Sequence, residues 1–325
     1  MKWRAIVELI LAVLIVFAFD SAMGAQASRK KRPAKPAALP CGDLVGFQVL
    51  LDRQGFSPGQ IDGQTGPTFS HALAALQAAK GLPASGTPDC ATWEALSKGA
   101  EPAIKTYTVT ADDVKGPFEK SIPPKLVDQA SLPSLGYKSV EEELAERFHA
   151  SPTLLQRLNP GPIREGREIH VPAVTPFNPA IKPTPDPAAA NATIVVSKDD
   201  SSLRVNGADG SILFYAPVTT GSEHDPLPPG DFKVLGQSWM PTFHYNPDLF
   251  WDAKESDEKA TLKPGPNNPV GVVWIALSLE HYGLHGTPEP GRVGHAESHG
   301  CVRLTNWDAA RVAAFVKPGT PVQFR

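Results

Sequence analysis

Cysteine is scarce in this sequence, because the chain of 325 residues has only three. Three cysteines permit at most one disulfide within the chain and leave at least one thiol. An excess of positive charge is also missing, since 34 Asp and Glu residues outnumber 31 Lys and Arg residues and give a net charge of −3. Domains that bind nucleic acids are usually clearly basic. The composition therefore argues against a nucleic-acid partner.

A long apolar run is missing at the start of the chain. The apolar stretch Leu9–Phe19 is too short for an ordinary membrane-spanning helix, which needs about 20 residues. Lys2 and Arg4 precede it, and Ala25-Gln26-Ala27 follows it, an order typical of a secretory signal peptide. We predict a signal peptide over residues 1–27, export, and no transmembrane segment after its removal. An uncleaved membrane anchor is the alternative.

The cysteines divide into a pair and a single residue. Cys41 and Cys90 flank one short segment, whereas Cys301 stands far from both. In an exported protein this arrangement predicts a Cys41–Cys90 disulfide, with Cys301 left as a thiol. Closing a loop of about 50 residues stabilises a fold by roughly 4 kcal/mol in the chain-entropy model. The alternative is that Cys41 and Cys90 are separate thiols.

Two proline- and alanine-rich stretches divide the exported chain into modules. Residues 28–40 contain Arg29-Lys30-Lys31-Arg32 and then alternating Pro and Ala, which indicates a solvated linker. Residues 175–191 form a second, semi-rigid linker of the same composition. We therefore expect a multidomain protein with modules at residues 41–98, 103–174 and 192–325.

The first module has the apolar spacing of helices. Phe47 and Leu51 share a face of one helix, Leu73 and Leu76 share a face of a second, and residues 91–96 predict a short third. The segment resembles the three-helix peptidoglycan-binding domain, through Phe47-Gln48, Gly55-Phe56, Ile61-Asp62-Gly63, Gly66-Pro67, Leu76-Gln77 and Gly81-Leu82. The resemblance implies a small all-α fold and a peptidoglycan ligand. The alternative is that these positions report the fold alone.

The second module has strand-like segments at both ends and two helical segments between them. The strands are expected at residues 107–110 and 166–172, and the helices at residues 139–148 and 151–158. This β-α-α-β order resembles a lysin-motif (LysM) glycan-binding module, as do Tyr107-Thr108-Val109 and Leu158-Asn159-Pro160. The stretch from Thr110 to Tyr137 is longer and richer in proline than that family expects. The module is accordingly either a glycan-binding unit or a spacer.

Short strand-like runs dominate the third module. They occur at residues 193–196, 203–205, 212–218, 232–235, 270–277 and 322–324. Thr305-Asn306-Trp307-Asp308 has the pattern of a capping box before a helix over residues 309–316. We expect a β-rich (α+β) domain, shaped as a sandwich or barrel, with one late helix.

Histidines, glycines and a cysteine are concentrated between His281 and Leu304. A thiol attacks an acyl carbon as the thiolate, so a nucleophilic Cys301 needs a nearby base such as histidine. Glycines beside it leave room for a substrate carbonyl and expose N–H groups to an oxyanion. Arg303 can favour the thiolate or hold a carboxylate. Two alternatives are a zinc site built from histidines and Cys301, and a purely structural role.

These residues resemble the L,D-transpeptidase catalytic domain. The matching stretches are Tyr282-Gly283-Leu284-His285-Gly286-Thr287 and Ser298-His299-Gly300-Cys301-Val302-Arg303-Leu304, together with Pro229-Gly230-Asp231-Phe232 and the residues 264–269. The resemblance implies a β-rich fold over residues 192–325. It also implies that the cysteine attacks the carbonyl between the third and fourth residues of a peptidoglycan stem peptide. D-Ala then leaves, and an amine acceptor resolves the thioester.

Carried over residue by residue, the resemblance implies that Cys301 is the nucleophile and His285 the proton donor and acceptor, oriented by the carbonyl of Gly286. The supporting residues are Ser298, His299, Gly300 and Arg303. No metal or cofactor is implied. We predict a periplasmic, wall-associated enzyme that forms 3-3 cross-links or attaches an outer-membrane protein to peptidoglycan. The alternatives are an L,D-carboxypeptidase on the same peptides and a non-catalytic wall-binding protein.

Overall fold

The structure, a computed structural model, describes residues 39–254, 256–295 and 300–325. The predicted signal peptide and most of the linker at residues 28–40 lie outside the described residues. Within the described part of the chain, no helix is long and apolar enough to cross a membrane.

The first module consists of three helices, α1 (Leu44–Arg53), α2 (Pro67–Ala79) and α3 (Cys90–Ser97). Asp43 begins α1 by accepting a hydrogen bond from the backbone N–H of Gly46 at 2.9 Å. The apolar faces enclose a core that includes Phe47, Leu51, Leu73 and Leu76. The predicted Cys41–Cys90 disulfide is confirmed, with the two Cα atoms 5.2 Å apart. The helical fold of this module is therefore as predicted.

The second module is built on an antiparallel strand pair. Its elements are β1 (Ile104–Thr108), α4 (Ala111–Lys115), α5 (Leu126–Gln129), α6 (Val140–Arg147), α7 (Pro152–Leu158) and β2 (Glu168–Pro172). Ile104 pairs with Pro172, and the core contains Leu144, Leu155 and Ile169. The expected β-α-α-β order is present, with the short helices α4 and α5 added before α6. Membership of the LysM family stays a prediction.

The third module contains β3 (Thr193–Ser197), β4 (Ser202–Asn206), β5 (Ile212–Pro217), β6 (Thr219–Thr220), β7 (Gly230–Trp239), β8 (Phe243–Tyr245), β9 (Ala260–Leu262), β10 (Val273–Leu277), β11 (Gly283–His285), β12 (Val302–Arg303) and β13 (Pro321–Phe324). Within the described residues, they form a nine-stranded sheet in the order β5-β4-β3-β13-β7-β10-β11-β12-β6, and β8 pairs with β9 separately. The long strand β7 pairs with β13 through its first residues and with β10 through its last. It thereby joins the two halves of the sheet.

One helix, α8 (Asn306–Ala314), packs on this sheet through Trp307 and Val312. Thr305 caps it by accepting from the N–H of Asp308 at 3.1 Å, so the predicted N-cap is confirmed. The helix begins at Asn306 rather than at the expected residue 309. In a capping box the Asp308 side chain would accept from the backbone N–H of Thr305. Here it accepts instead from Ser57 in the first module.

Helix α8 meets the first module through a charge pair in which the carboxylate is fully buried and the guanidinium is partly exposed. Arg311 donates to both carboxylate oxygens of Asp52, which lies on α1, at 3.1 and 2.9 Å. Nδ1 of His149, from the second module, lies 3.0 Å from Asp52. Burial acts to raise the pKa of Asp52, but the charge of Arg311 and the contact with His149 outweigh it and hold that pKa well below its usual range. Asp52 is therefore ionised and compensated from two other modules.

Other side chains of α8 extend the junction. Asp308 accepts from the Ser57 hydroxyl at 2.8 Å, and the indole of Trp307 stacks on His149 at 5.1 Å. Asn306 donates to the carboxyl of Glu146, on α6, at 3.0 Å. Each of the first two modules thus supplies polar partners to one helix of the third.

The first module also covers an edge of the large sheet. The backbone N–H of Tyr215, on the edge strand β5, donates to the carbonyl of Gly55, and Ser57 donates back to Tyr215, each at 2.8 Å. The Tyr215 ring is buried in the core of the first module, 6.4 Å from the ring of Phe56. These contacts make the first module part of the structure of the third.

The stretch at residues 175–191, which we expected to be a linker, contacts both neighbouring modules. Phe177 is buried, and its N–H donates to the carbonyl of Arg147 in the second module. The indole N–H of Trp239 donates to Pro179 at 3.0 Å. A 3-10 helix at Pro187–Asn191 leads into β3.

We predict that Arg311→Met lowers the free energy of unfolding by about 3–5 kcal/mol, because it leaves the buried Asp52 carboxylate without its main counter-charge. Urea denaturation would measure the loss. Arg292→Met is the matched control, since Arg292 pairs with Glu289 at 3.3 Å, both side chains are exposed, and the change should cost at most about 1 kcal/mol. Equal losses in the two variants would contradict a special role for the junction.

We also predict that stability falls as pH rises from about 6.5 to about 8; below this window the lowered pKa values of His149 and His285 act in the opposite direction. Burial raises the pKa of Glu146 from 4.5 to about 8 and that of Asp308 from 3.8 to about 7. The folded protein therefore retains protons that the unfolded chain has already released, so unfolding becomes easier as pH rises through this window. Glu146→Gln should flatten part of this dependence in denaturation curves measured at several pH values. Glu141→Gln, on the exposed face of α6, should leave it unchanged.

Candidate active site

A cleft of about 1620 Å³ opens on the third module. His285, Cys301 and Arg303 line it, together with residues of the β8–β9 hairpin. The second module contributes lining as well, from residues 122–129 and from Lys138. The cleft is thus shared between two modules.

Strand pairing brings the motif residues into this cleft. The short strands β11 and β12 are parallel neighbours, with Leu284 opposite Val302 and His285 opposite Arg303. His285 ends β11, and Cys301 directly precedes β12. The N–H of Leu304 donates to the carbonyl of His285 at 2.8 Å and continues the pairing. Two stretches that are separate in sequence therefore deliver their side chains to the same region of the sheet.

The imidazole of His285 is buried and has a fixed orientation. Its Nδ1 lies 2.7 Å from the carbonyl oxygen of Gly286, and because a carbonyl can only accept, Nδ1 carries a proton. Trp274, which pairs with His285 across β10 and β11, stacks on the ring at 5.5 Å. Burial, and then the charge of Arg303, lower the pKa of His285 to about 3. The ring is therefore neutral at pH 7, and Nε2 has a lone pair that can take a proton.

The thiol of Cys301 is partly exposed and belongs to no disulfide. Its Sγ donates to the carbonyl of His281 at 3.5 Å. Burial raises the pKa of Cys301, while a hydrogen bond from the backbone of Gly283 and the charge of Arg303 oppose that rise. The resting state is accordingly a neutral thiol and a neutral imidazole that line the same cleft. Such a pair reacts when the sulfur loses its proton as it attacks.

Of the remaining residues of the motif, the structure describes Gly300 and His295 but not Ser298 and His299. Gly300 has a φ of +93°, and a Cβ there would lie 3.0 Å from the Tyr282 ring, so the position requires glycine. His295 is exposed on the surface. Ser298 and His299 lie outside the described residues. Among the residues that the structure does describe, no group of three His, Cys, Asp or Glu side chains is arranged to hold a metal ion.

Asn306 is a site residue that sequence reasoning missed. Its Oδ1 accepts from the N–H of Val272 at 3.1 Å, and a Cβ on Gly286 would come within 2.2 Å of that oxygen. Asn306 therefore packs directly against the peptide whose carbonyl holds His285. In the sequence, Gly286 and Gly271 indicate that another group approaches the backbone closely at these positions. They do not identify that group as the Asn306 side chain. Trp274 was also missed, because it appears in the sequence only as one member of an apolar run.

The sequence model of the L,D-transpeptidase catalytic domain family, YkuD, matches residues 191–324. These residues are an L,D-transpeptidase catalytic domain. A second family model, for a peptidoglycan binding domain, matches residues 43–96. The transpeptidase domain therefore contributes His285 and Cys301 to the cleft, and the other matched domain contains α1, α2 and α3.

Similar proteins carry the same family name. A Bacillus licheniformis protein named L,D-transpeptidase YkuD is 28% identical over 185 residues, which are 56% of this chain and 90% of that protein. Its Bacillus subtilis counterpart is 26% identical over 182 residues, or 55% of this chain and 89% of that protein. A solved L,D-transpeptidase from Mycobacterium smegmatis is 22% identical, with a TM-score of 0.34, and the match covers 42% of this chain and 58% of that one.

We predict that Arg303→Gln slows alkylation of Cys301 by iodoacetamide several-fold at pH 8. The charge of Arg303 lowers the pKa of the thiol, so its loss should move the pH profile of alkylation to higher pH. Mass spectrometry of the intact protein would follow the reaction. Arg292→Gln is the control, because Arg292 is exposed and pairs with Glu289 at 3.3 Å. A profile that is unchanged in Arg303→Gln would contradict this electrostatic role.

Proposed function

We propose that this protein is a cysteine-dependent L,D-transpeptidase that acts on the stem peptides of peptidoglycan. The observation that carries the proposal is the pair formed by Cys301 and a neutral His285 in one cleft, with Nδ1 of the imidazole held by the carbonyl of Gly286 at 2.7 Å. This orientation leaves Nε2 to take the proton of a thiol. The family match over residues 191–324 supports the same chemistry.

In the proposed reaction, Sγ of Cys301 attacks the carbonyl between the third and fourth residues of the stem peptide. The thiol proton passes to Nε2 of His285, and the Gly286 carbonyl stabilises the imidazolium that forms. Backbone N–H groups near Cys301 stabilise the oxyanion. His285 then protonates the departing amine of D-Ala, and a thioester remains. An acceptor amine attacks the thioester and gives its proton to His285, which passes it to the departing sulfur and so restores the thiol.

The supporting residues have distinct proposed tasks. Arg303 keeps the thiol pKa from rising further and can hold a substrate carboxylate. Gly300 leaves space beside Tyr282, and Ser298 and His299, which lie outside the described residues, are proposed to support the site. The first module holds peptidoglycan, which associates the enzyme with the cell wall. We place this activity in the periplasm, after export by the signal peptide.

We predict that Cys301→Ala abolishes release of D-Ala from a disaccharide-tetrapeptide, and that His285→Ala lowers its rate about 10²–10⁴-fold, the usual contribution of a general acid-base residue. Mass spectrometry of the products would measure both. His295→Ala is a matched control, since this exposed histidine has no role in the proposed reaction and should keep wild-type turnover.

The products also identify the acceptor. A cross-linked dimer indicates transfer to an amine of a second stem peptide, a tripeptide indicates water, and a protein conjugate indicates attachment of a protein. Full turnover by Cys301→Ala would refute the proposed nucleophile. A normal rate in His285→Ala would assign the base to a different residue.

A further inference from the structure

One part of the second module lies outside its strand-and-helix framework. We call residues 116–137, which join α4 to α6, the wall segment. Its central part lines the catalytic cleft, through Ile122, Pro123, Pro124, Lys125, Leu126, Val127, Asp128 and Gln129. The compact β-α-α-β framework does not require this length of chain. The length of the wall segment is therefore attributed to its position at the cleft.

The wall segment is anchored to the third module by a small apolar core. Leu135 is fully buried against Tyr245 and Leu262, which belong to the β8–β9 hairpin. Leu126, on α5, and Phe250 pack around the same core. Because these side chains leave water together, the wall segment and the hairpin hold each other in place.

Backbone contacts fix the position of the anchor. The carbonyl of Leu135 accepts from the N–H of Asn267 at 2.9 Å, and the N–H of Leu135 lies 3.4 Å from the carbonyl of Pro264. A Cβ on Gly265 would lie 2.0 Å from the Leu135 carbonyl oxygen, so only glycine permits this approach. The side chain of Asn267 donates to Gly136 at 2.8 Å. The stretch at residues 264–267 thus serves as the receptor for the wall segment.

The exposed face of the wall segment suits a peptide that carries carboxylates. Pro123 and Pro124 offer a stiff apolar surface, which loses little conformational entropy when a ligand binds. Lys125 is exposed at the cleft and forms no ion pair within the described residues. The other lysine that the second module adds to the cleft, Lys138, is paired with Glu142 at 2.9 Å. Lys125 is therefore available to a ligand.

We infer that the wall segment is a substrate-binding element of the transpeptidase site, and that Lys125 binds a carboxylate of the stem peptide. The inference rests on the proposed function, because it takes the stem peptide to be the ligand of this cleft. It assigns the second module a direct part in selecting the peptide. Substrate selection is then a property of two modules together.

Binding to the full-length Cys301→Ala protein tests the inference without turnover. Calorimetry with the disaccharide-tetrapeptide should show that Lys125→Glu weakens binding about tenfold in this background, since a cation next to a carboxylate becomes a like charge. Lys120→Glu is the matched control, because Lys120 belongs to the same segment but does not line the cleft. It makes the same charge change and should leave the affinity unaltered. Lys125→Arg should retain most of the affinity.

Kinetics separate this inference from the proposed function. In the protein with Cys301 intact, Lys125→Glu should raise KM about tenfold with little change in kcat, and alkylation by iodoacetamide should remain normal. Equal affinities in the Lys125→Glu and Lys120→Glu variants would overturn the inference even if the enzyme is fully active. Slower alkylation in Lys125→Glu would also overturn it, because the change would then act on the thiol rather than on the peptide. Absence of turnover in the wild-type protein would instead refute the proposed function.

Discussion

The buried carboxylate of Asp52 imposes the constraint on which the architecture depends. Taking a carboxylate out of water is costly, and the cost is offset only when the charge is paired, here by Arg311. Asp52 comes from α1, Arg311 from α8, and their neighbour His149 from the second module. All three modules must therefore be docked before the charges are compensated. The junction thus ties the three modules together within the compact unit of residues 39–325.

The same helix connects the junction to the candidate active site. Asn306, its first residue, bonds to Glu146 of the second module with its amide N–H group. With its oxygen it contacts Val272, beside the Gly286 peptide that orients His285. The orientation of the imidazole thus depends on packing that originates partly outside the transpeptidase domain. In this site a backbone carbonyl performs the orienting task that a carboxylate performs in many catalytic triads.

Local patterns in the sequence predicted local structure well. The Cys41–Cys90 pairing, the Thr305 cap and most strands were predictable, because each depends on residues whose spacing or chemistry leaves few choices. The partners of Asp308 and Arg311 were not predictable. Ser57 lies 251 residues from Asp308, and no periodicity specifies such a contact. The wall segment was recognised only as an unusually long and proline-rich stretch, since its meaning depends on a cleft formed by another module.

The covered edge of the large sheet limits how the modules of this chain can change independently in evolution. Gly55 and Ser57 pair with the backbone of Tyr215, as an added strand would, and they occupy part of the open edge of β5. A transpeptidase domain separated from the first module would expose that edge together with the apolar ring of Tyr215. The modules are therefore not interchangeable units that recombination could exchange singly. A change in the first module would have to be accompanied by a compatible change in β5 and α8, so these surfaces are expected to evolve together.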